Sequence, residues 1–280
     1  MAREYNATIS YINNQKEDLG IFRIKPDDGI IPDFKAGQFL TLGMFVPTEN
    51  NRMITRGYSI SSHPENKKYF EFVIRWVRKP LPGRLTTTLF DAKQGDKIFF
   101  ARPTGHLTIN DTLPNGDKDE RRIVCIGGGT GIAPFVSYAR HLHDVGDKRE
   151  IVLLHGASYI DELSYKEVLT NLEDESLDRG TDKWNFKYRA SISRPQEWFN
   201  RSWKGQVGRV EQFLRAKAGR KSPLEELVGE EITKENTVFY ICGWQGTIDG
   251  TMDYLQSKNF VTEREKRPDG SFEVKFESYG

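Results

Sequence analysis

Residues 123–134 read Ile123-Val124-Cys125-Ile126-Gly127-Gly128-Gly129-Thr130-Gly131-Ile132-Ala133-Pro134, an apolar run, then a glycine turn, then a proline where a helix would begin. A run that is apolar at every position suits a strand covered on both faces, as in a parallel sheet. Proline fits the first turn of a helix, where the backbone N–H groups have no intrahelical acceptor. Bare amides beside glycines, which let a ligand approach the backbone, make a phosphate cradle. The stretch is not the G-x-G-x-x-G fingerprint, because position 132 is isoleucine, and no acid ends the following strand to grip a ribose 2′-hydroxyl. On these residues alone, a tight strand-to-helix turn without a ligand remains the alternative.

The same rhythm continues outward. Apolar runs at 151–154 and 238–242 alternate with helical stretches at 133–145, 163–172 and 250–258, the pattern of an α/β domain with a parallel sheet. Gly127–Gly131, His155–Ser158, Ser193-Arg194 and Cys242-Gly243 each follow an expected strand and so gather at one rim, where such sheets bind ligands. Residues 4–110 behave differently. Strands are expected at 39–42, 69–77 and 97–101, with turns at Pro26-Asp27-Asp28-Gly29 and Gly95-Asp96, and one helix at 85–91; this suits a small antiparallel barrel. Residues 110–120 are polar and turn-rich, which divides the chain into domains at 1–113 and 114–280.

Within the first half lies Arg56-Gly57-Tyr58-Ser59-Ile60-Ser61-Ser62. A guanidinium for a pyrophosphate, a ring for stacking and hydroxyls for a polar ring edge suit a flavin dinucleotide. An ordinary barrel strand carrying a surface arginine is the alternative.

Composition narrows the classes. A chain of 280 residues exceeds the usual single core, so two domains are expected. With 41 basic and 40 acidic side chains, net charge gives no reason to expect nucleic acid or an acidic membrane as partner. No apolar run approaches a membrane span, and Met1–Asn6 lacks a signal-peptide core, so a cytoplasmic protein is expected. The only cysteines, Cys125 and Cys242, cannot supply a four-thiolate cluster or a Cys-x-x-Cys motif. The histidines show no ligand spacing: His141 and His143, two apart on a helix, point away from each other, and His63, His106 and His155 read as packing or turn residues. No metal site is expected.

Arg56-x-Tyr58-Ser59-x-x-Ser62, Gly83-Arg84-Leu85-Thr86-Thr87, the glycine turn through Pro134, Ser193-Arg194, Gly208-Arg209-Val210, Cys242-Gly243 and Phe276-Glu277-Ser278-Tyr279-Gly280 together resemble the bacterial ferredoxin (flavodoxin)–NADP reductases over nearly the whole chain. The resemblance implies two domains: an antiparallel Greek-key β-barrel for FAD and an α/β parallel-sheet domain for NADP(H). It also implies hydride exchange at their junction and single-electron exchange with ferredoxin or flavodoxin. By it Arg56 holds the FAD pyrophosphate, Tyr58 stacks on the isoalloxazine, and Ser59 lies near N5. Ile60, Ser62, Val73, Arg75, Gly83, Leu85, Thr86 and Thr87 complete the contacts on the barrel side. Gly128, Gly129, Thr130, Gly131, Pro134, Ser193 and Gly243 serve the NADP side, with Arg194 and Arg209 on the 2′-phosphate. Cys242 and Glu277 flank the nicotinamide, Tyr279 covers the second flavin face, and Gly280 leaves the adenine uncovered.

Where the related enzymes often place an arginine after His155-Gly156-Ala157, this chain has Ser158, which implies softer NADPH over NADH discrimination. Between Lys67 and Arg84 six cations face one acid, Glu71, a patch that could steer an acidic carrier, with a solvated barrel face as the alternative. A monomer is expected. Two other readings stand: the NAD(P)H reductase of an oxygenase system or a flavin reductase, and a nucleotide-binding regulator without catalysis.

Overall fold

The computed structural model describes residues 4–216 and 219–279; Gly280 lies outside them. In the first strand, β1 (Ala7–Lys16), Ala7 and Ile9 are fully buried while the alternating Thr8 and Ser10 are partly exposed, the period-two pattern of a sheet with one face on a core. It pairs with β2 (Leu19–Pro26), and β3 (Phe39–Val46), β4 (Arg52–Ser59), β5 (Phe70–Arg75) and β6 (Lys97–Phe100) complete an antiparallel sheet in the order β4-β3-β6-β1-β2-β5. This is a Greek-key barrel, with Phe22, Leu40, Phe70, Phe72 and Ile98 in its core. One helix, α1 (Arg84–Asp91), drops Leu85 and Leu89 into that core.

The second half alternates β7 (Arg122–Gly128), α2 (Ala133–Asp144), β8 (Ile151–Ala157), α3 (Lys166–Arg179), β9 (Phe186–Ile192), β10 (Gln206–Val207), α4 (Pro223–Val228), β11 (Thr237–Gly243), α5 (Gln245–Ser257) and β12 (Val274–Ser278). Its six strands are all parallel, in the order β10-β9-β8-β7-β11-β12. Alternate β7 residues serve opposite faces. Ile123 and Cys125 share a core with Phe135 of α2 and Leu169 of α3, and Val124 and Ile126 with Leu224 of α4 and Ile248 of α5. The continuous apolar runs are therefore explained by burial on both sides.

The α2 side of this sheet also takes Leu19, Ile21, Val73 and Leu107 from the barrel, so one apolar layer joins the two halves. At about 1.5–3 kcal/mol for each fully buried large aliphatic side chain, this is the main cement between them. Polar contacts fix the register: the Ser137 hydroxyl donates to the Ser62 carbonyl at 2.7 Å, Tyr138 to the Leu107 carbonyl at 2.8 Å, and Ser61 meets the Tyr165 hydroxyl at 2.7 Å. No helix among the described residues is long and apolar enough to cross a membrane.

Two helices differ from the sequence expectation. The one expected at 163–172 starts at Lys166, because Leu163–Tyr165 turn sharply and Tyr165 takes φ 63°. The one expected at 250–258 starts earlier, at Gln245, and carries Gly246 and Gly250 inside it.

Candidate functional site

The carboxyl rim of the parallel sheet and one flank of the barrel enclose a cleft of about 1210 Å³. From the barrel it is lined by Arg56, Tyr58 and Ser59 on β4, Val73 and Arg75 on β5, and Gly83, Leu85 and Thr86 at the start of α1. From the second domain come Gly128, Gly129 and Thr130, Ser193 and Arg194, Arg209, and Glu277 and Tyr279. Other expected residues lie behind this wall. Ile60 is wholly buried in the barrel core; the Ser62 hydroxyl accepts from the Glu71 N–H at 3.2 Å; Thr87 accepts from the Trp76 indole at 3.0 Å. Gly131, Pro134, Cys242 and Gly243 are buried and are not among the residues that line the cleft. Glycine is required at 131, since a Cβ there would lie 2.2 Å from the Cys242 carbonyl oxygen.

The arginines divide by partner. Arg56 donates to the Thr55 carbonyl at 2.8 Å, Arg194 to the Tyr159 hydroxyl at 2.7 Å, and Arg209 lies 5.6 Å from the Trp244 ring centre. None of the three has a carboxylate partner among the described residues, so each offers its charge to an anion. Arg75 differs: it pairs with Asp18 at 2.9 Å and Glu162 at 3.0 Å. Within the 67–84 patch, Lys67, Arg78 and Arg84 are likewise paired, with Asp33, Glu17 and Glu49. The excess of cations along the sequence is thus largely neutralised by acids brought in from other segments.

The residues suit both dinucleotides. α1 begins after Gly83 without a side-chain cap, leaving first-turn amides open toward the cleft beside the unpaired Arg56, which fits an FAD pyrophosphate. Burial raises the pKa of the Tyr58 phenol, so its ring is a neutral stacking face. On the other side, Gly128 lets the chain pass close to Thr247, whose hydroxyl would be 2.7 Å from an added Cβ. Here the structure adds a contact that the sequence did not foretell. The Tyr279 hydroxyl accepts from the Gly131 N–H at 2.8 Å and donates to the Gly128 carbonyl, so one cradle amide is capped rather than bare. Tyr279 is 38% exposed, and burial of its hydroxyl end pushes its pKa up to about 12.

Glu277 lies beside Cys242 across the β11–β12 ladder, and burial raises its carboxyl pKa, with His106 opposing. Burial lifts the Cys242 thiol well above the usual range, so it is a packing group and not a thiolate.

Sequence reasoning missed Glu162, Glu211, Trp244 and Thr247, all of which line the cleft. Glu211 is 7% exposed and its Oε2 has no hydrogen-bond partner, while the Ser158 N–H donates to Glu162 at 3.2 Å. Glu162 is already paired with Arg75 and Lys16, whereas Glu211 has no cation partner among the described residues. The position of Trp244 directly after Cys242-Gly243 was a usable signal; Glu211 gave none.

Comparison with known proteins agrees with this geometry. The oxidoreductase FAD-binding domain family matches residues 7–109, and the oxidoreductase NAD-binding domain family residues 125–253. The chain is 30% identical over 176 residues to a ferredoxin–NADP reductase of Pseudomonas aeruginosa, covering 62% of this chain and 63% of that protein. It is 28% identical over 253 residues to the reductase component of propane 2-monooxygenase from Mycolicibacterium goodii, covering 89% of this chain and 62% of the relative. The chain therefore spans just under two thirds of these curated relatives. A crystal structure of a ferredoxin NADP+ reductase from Neisseria gonorrhoeae with bound FAD and NADP has the same fold, with a TM-score of 0.76 at 23% identity over 99% of both chains.

Proposed function

We infer the reaction from one premise: the chain belongs to the ferredoxin–NADP reductase family, with an FAD-binding and an NAD-binding oxidoreductase domain in sequence. The reading it supports best is an NADPH-dependent ferredoxin or flavodoxin reductase. The observation that carries it is the single cleft in which Arg56, Tyr58 and Ser59 of the barrel face Gly128–Thr130, Arg194 and Arg209 of the parallel-sheet domain. Bound FAD would supply the redox ring that takes hydride from the nicotinamide and releases electrons singly.

In this reading the protein's own groups bind and orient. Arg56 and the α1 amides hold the FAD pyrophosphate, and Tyr58 fixes one ring face. Ser59 serves the ring edge, and Gly128–Thr130 hold the nicotinamide dinucleotide's phosphates. Arg194 and Arg209 supply forked donors to the 2′-phosphate. Ser158 and the unpaired Glu211 soften that preference, so NADH is a slower second substrate. Glu277, with its raised pKa, stands at the nicotinamide end as a group able to hold a proton at low cost. A domain boundary at 113/114, a monomer and a cytoplasmic site of action belong to the same proposal.

A second reading, the reductase of an oxygenase system, is favoured by two observations: 89% of the chain aligns with such a component, and four of the six cations in the expected carrier-docking patch are ion-paired. Cytochrome c reduction by the FAD-loaded protein with NADPH decides between them. The first reading expects added ferredoxin or flavodoxin to raise the rate at least tenfold; no response to either carrier supports the second.

A further inference from the structure

The five histidines have no ligand spacing along the chain, yet the fold collects three of them on one surface. The loop after β4 carries His63 and Glu65 against the end of α2, where His141, His143 and Asp144 lie. His63 Nε2 is 3.0 Å from Asp144 Oδ2, and His141 Nδ1 is 2.8 Å from Glu65 Oε1. His143 reaches Asp144 at 3.5 Å and Glu175 at 3.0 Å. One ligand atom from each of His63, Glu65 and Asp144 lies within 4.8 Å of the other two.

Charge favours a cation there. Among the described residues the only ion-pair partners of Glu65 and Asp144 are imidazoles, so neither carboxylate is neutralised while those rings are uncharged. His63 turns its Nε2 toward Asp144 Oδ2, so the ring edge that faces the carboxylates carries a nitrogen placed to act as a ligand atom. Its Nδ1 has no hydrogen-bond partner.

We propose that His63, Glu65 and Asp144 bind a divalent transition-metal ion of the zinc type, with His141 orienting Glu65. One imidazole and two carboxylates suit zinc better than magnesium, which is reluctant to dehydrate and prefers oxygen ligands. A tetrahedral zinc with bonds of about 2.0–2.1 Å holds its ligand atoms roughly 3.3 Å apart. The three side chains therefore close in by rotation, and water takes the fourth position. His63 and Glu65 belong to the barrel and Asp144 to the parallel-sheet domain, so the ion would clip the two domains together at a distance from the cleft.

The test is calorimetric titration of metal-stripped, FAD-loaded full-length protein with zinc chloride, with magnesium chloride in parallel. The proposal expects one zinc per chain at micromolar affinity, weak or absent magnesium binding, and a melting temperature raised by roughly 5 °C at a hundredfold excess over Kd. Asp144→Asn and Glu65→Gln should each weaken zinc at least tenfold, and His63→Ala should abolish it. All three should keep full flavin occupancy and an unchanged rate of reduction by NADPH, because none lines the cleft. Absence of zinc uptake by the parent protein, or uptake unaltered in flavin-loaded Asp144→Asn and Glu65→Gln, overturns the proposal.

Discussion

Removing one oxygen atom separates two roles for Tyr279. In the structure its hydroxyl accepts from the Gly131 N–H at 2.8 Å and donates to the Gly128 carbonyl. If the phosphates of the nicotinamide dinucleotide use the Gly131 amide, binding must first break both bonds. At about 0.5–1.5 kcal/mol net for each hydrogen bond, that opposes binding by about 1–3 kcal/mol. Tyr279→Phe keeps the ring and deletes both bonds. Since about 1.4 kcal/mol is a factor of ten, the variant should bind NADP and NAD roughly 5- to 150-fold tighter, and both alike, because the cap touches no 2′-phosphate. Its pKa of about 12 keeps the hydroxyl protonated, so the difference should be flat between about pH 6 and 9. The assay is difference-spectral titration of the FAD-loaded protein at fixed ionic strength, beside Tyr279→Ala. Unchanged affinity in the phenylalanine variant with tightening only in the alanine variant would show that the ring, not the hydroxyl, opposes the nucleotide, and would refute the capping argument.

Arg56→Ala should purify pale, since a charge-assisted pyrophosphate contact is worth about 1.5–3 kcal/mol; full flavin occupancy would place Arg56 away from the pyrophosphate. Arg194→Ala and Arg209→Ala should each raise the KM for NADPH roughly tenfold or more and leave NADH nearly unchanged; steady-state kinetics with both nucleotides checks this, and equal losses would assign them to the shared pyrophosphate or the fold. His155 supplies a stability prediction. Burial pushes its pKa down from 6.5 to about 4, so between those values the unfolded chain binds a proton that the folded chain does not. Folding stability is therefore lost as pH falls from about 7 to 4, by about 3 kcal/mol from this group, and denaturant titrations of His155→Gln should show a flatter acid limb.

Much of the fold was legible because the decisive signals are local. Ile123–Ile126 is apolar at every position since both faces of β7 are covered, and Pro134 marks the start of α2. The expected helix began at Gly250; its true start at Gln245 was hidden because glycine at 246 is a poor helix former, whereas the helix runs through both glycines, with Glu211 packed close to Gly250. At the site, Arg56 and Tyr58 were readable from their chemistry. Ile60 and Ser62 shared the motif but are buried, Ile60 in the barrel core and Ser62 at the join between the domains, which spacing alone does not reveal. Glu211 and the His63–Glu65–Asp144 group come from segments far apart in sequence, so only the fold could bring each to its place. The pairing of Lys67, Arg75, Arg78 and Arg84 was likewise invisible, since their acids lie outside the segment.

The central claim is that a nicotinamide dinucleotide held on the parallel-sheet side passes hydride to FAD held on the barrel side of one cleft. Anaerobic rapid mixing of the FAD-loaded protein with NADPH carrying deuterium at the transferred C4 position tests it most directly. The account predicts bleaching of the flavin band within a single turnover, a deuterium effect on that step, and slower bleaching with NADH. A protein that stays oxidised with both nucleotides, or that binds no FAD, would contradict it.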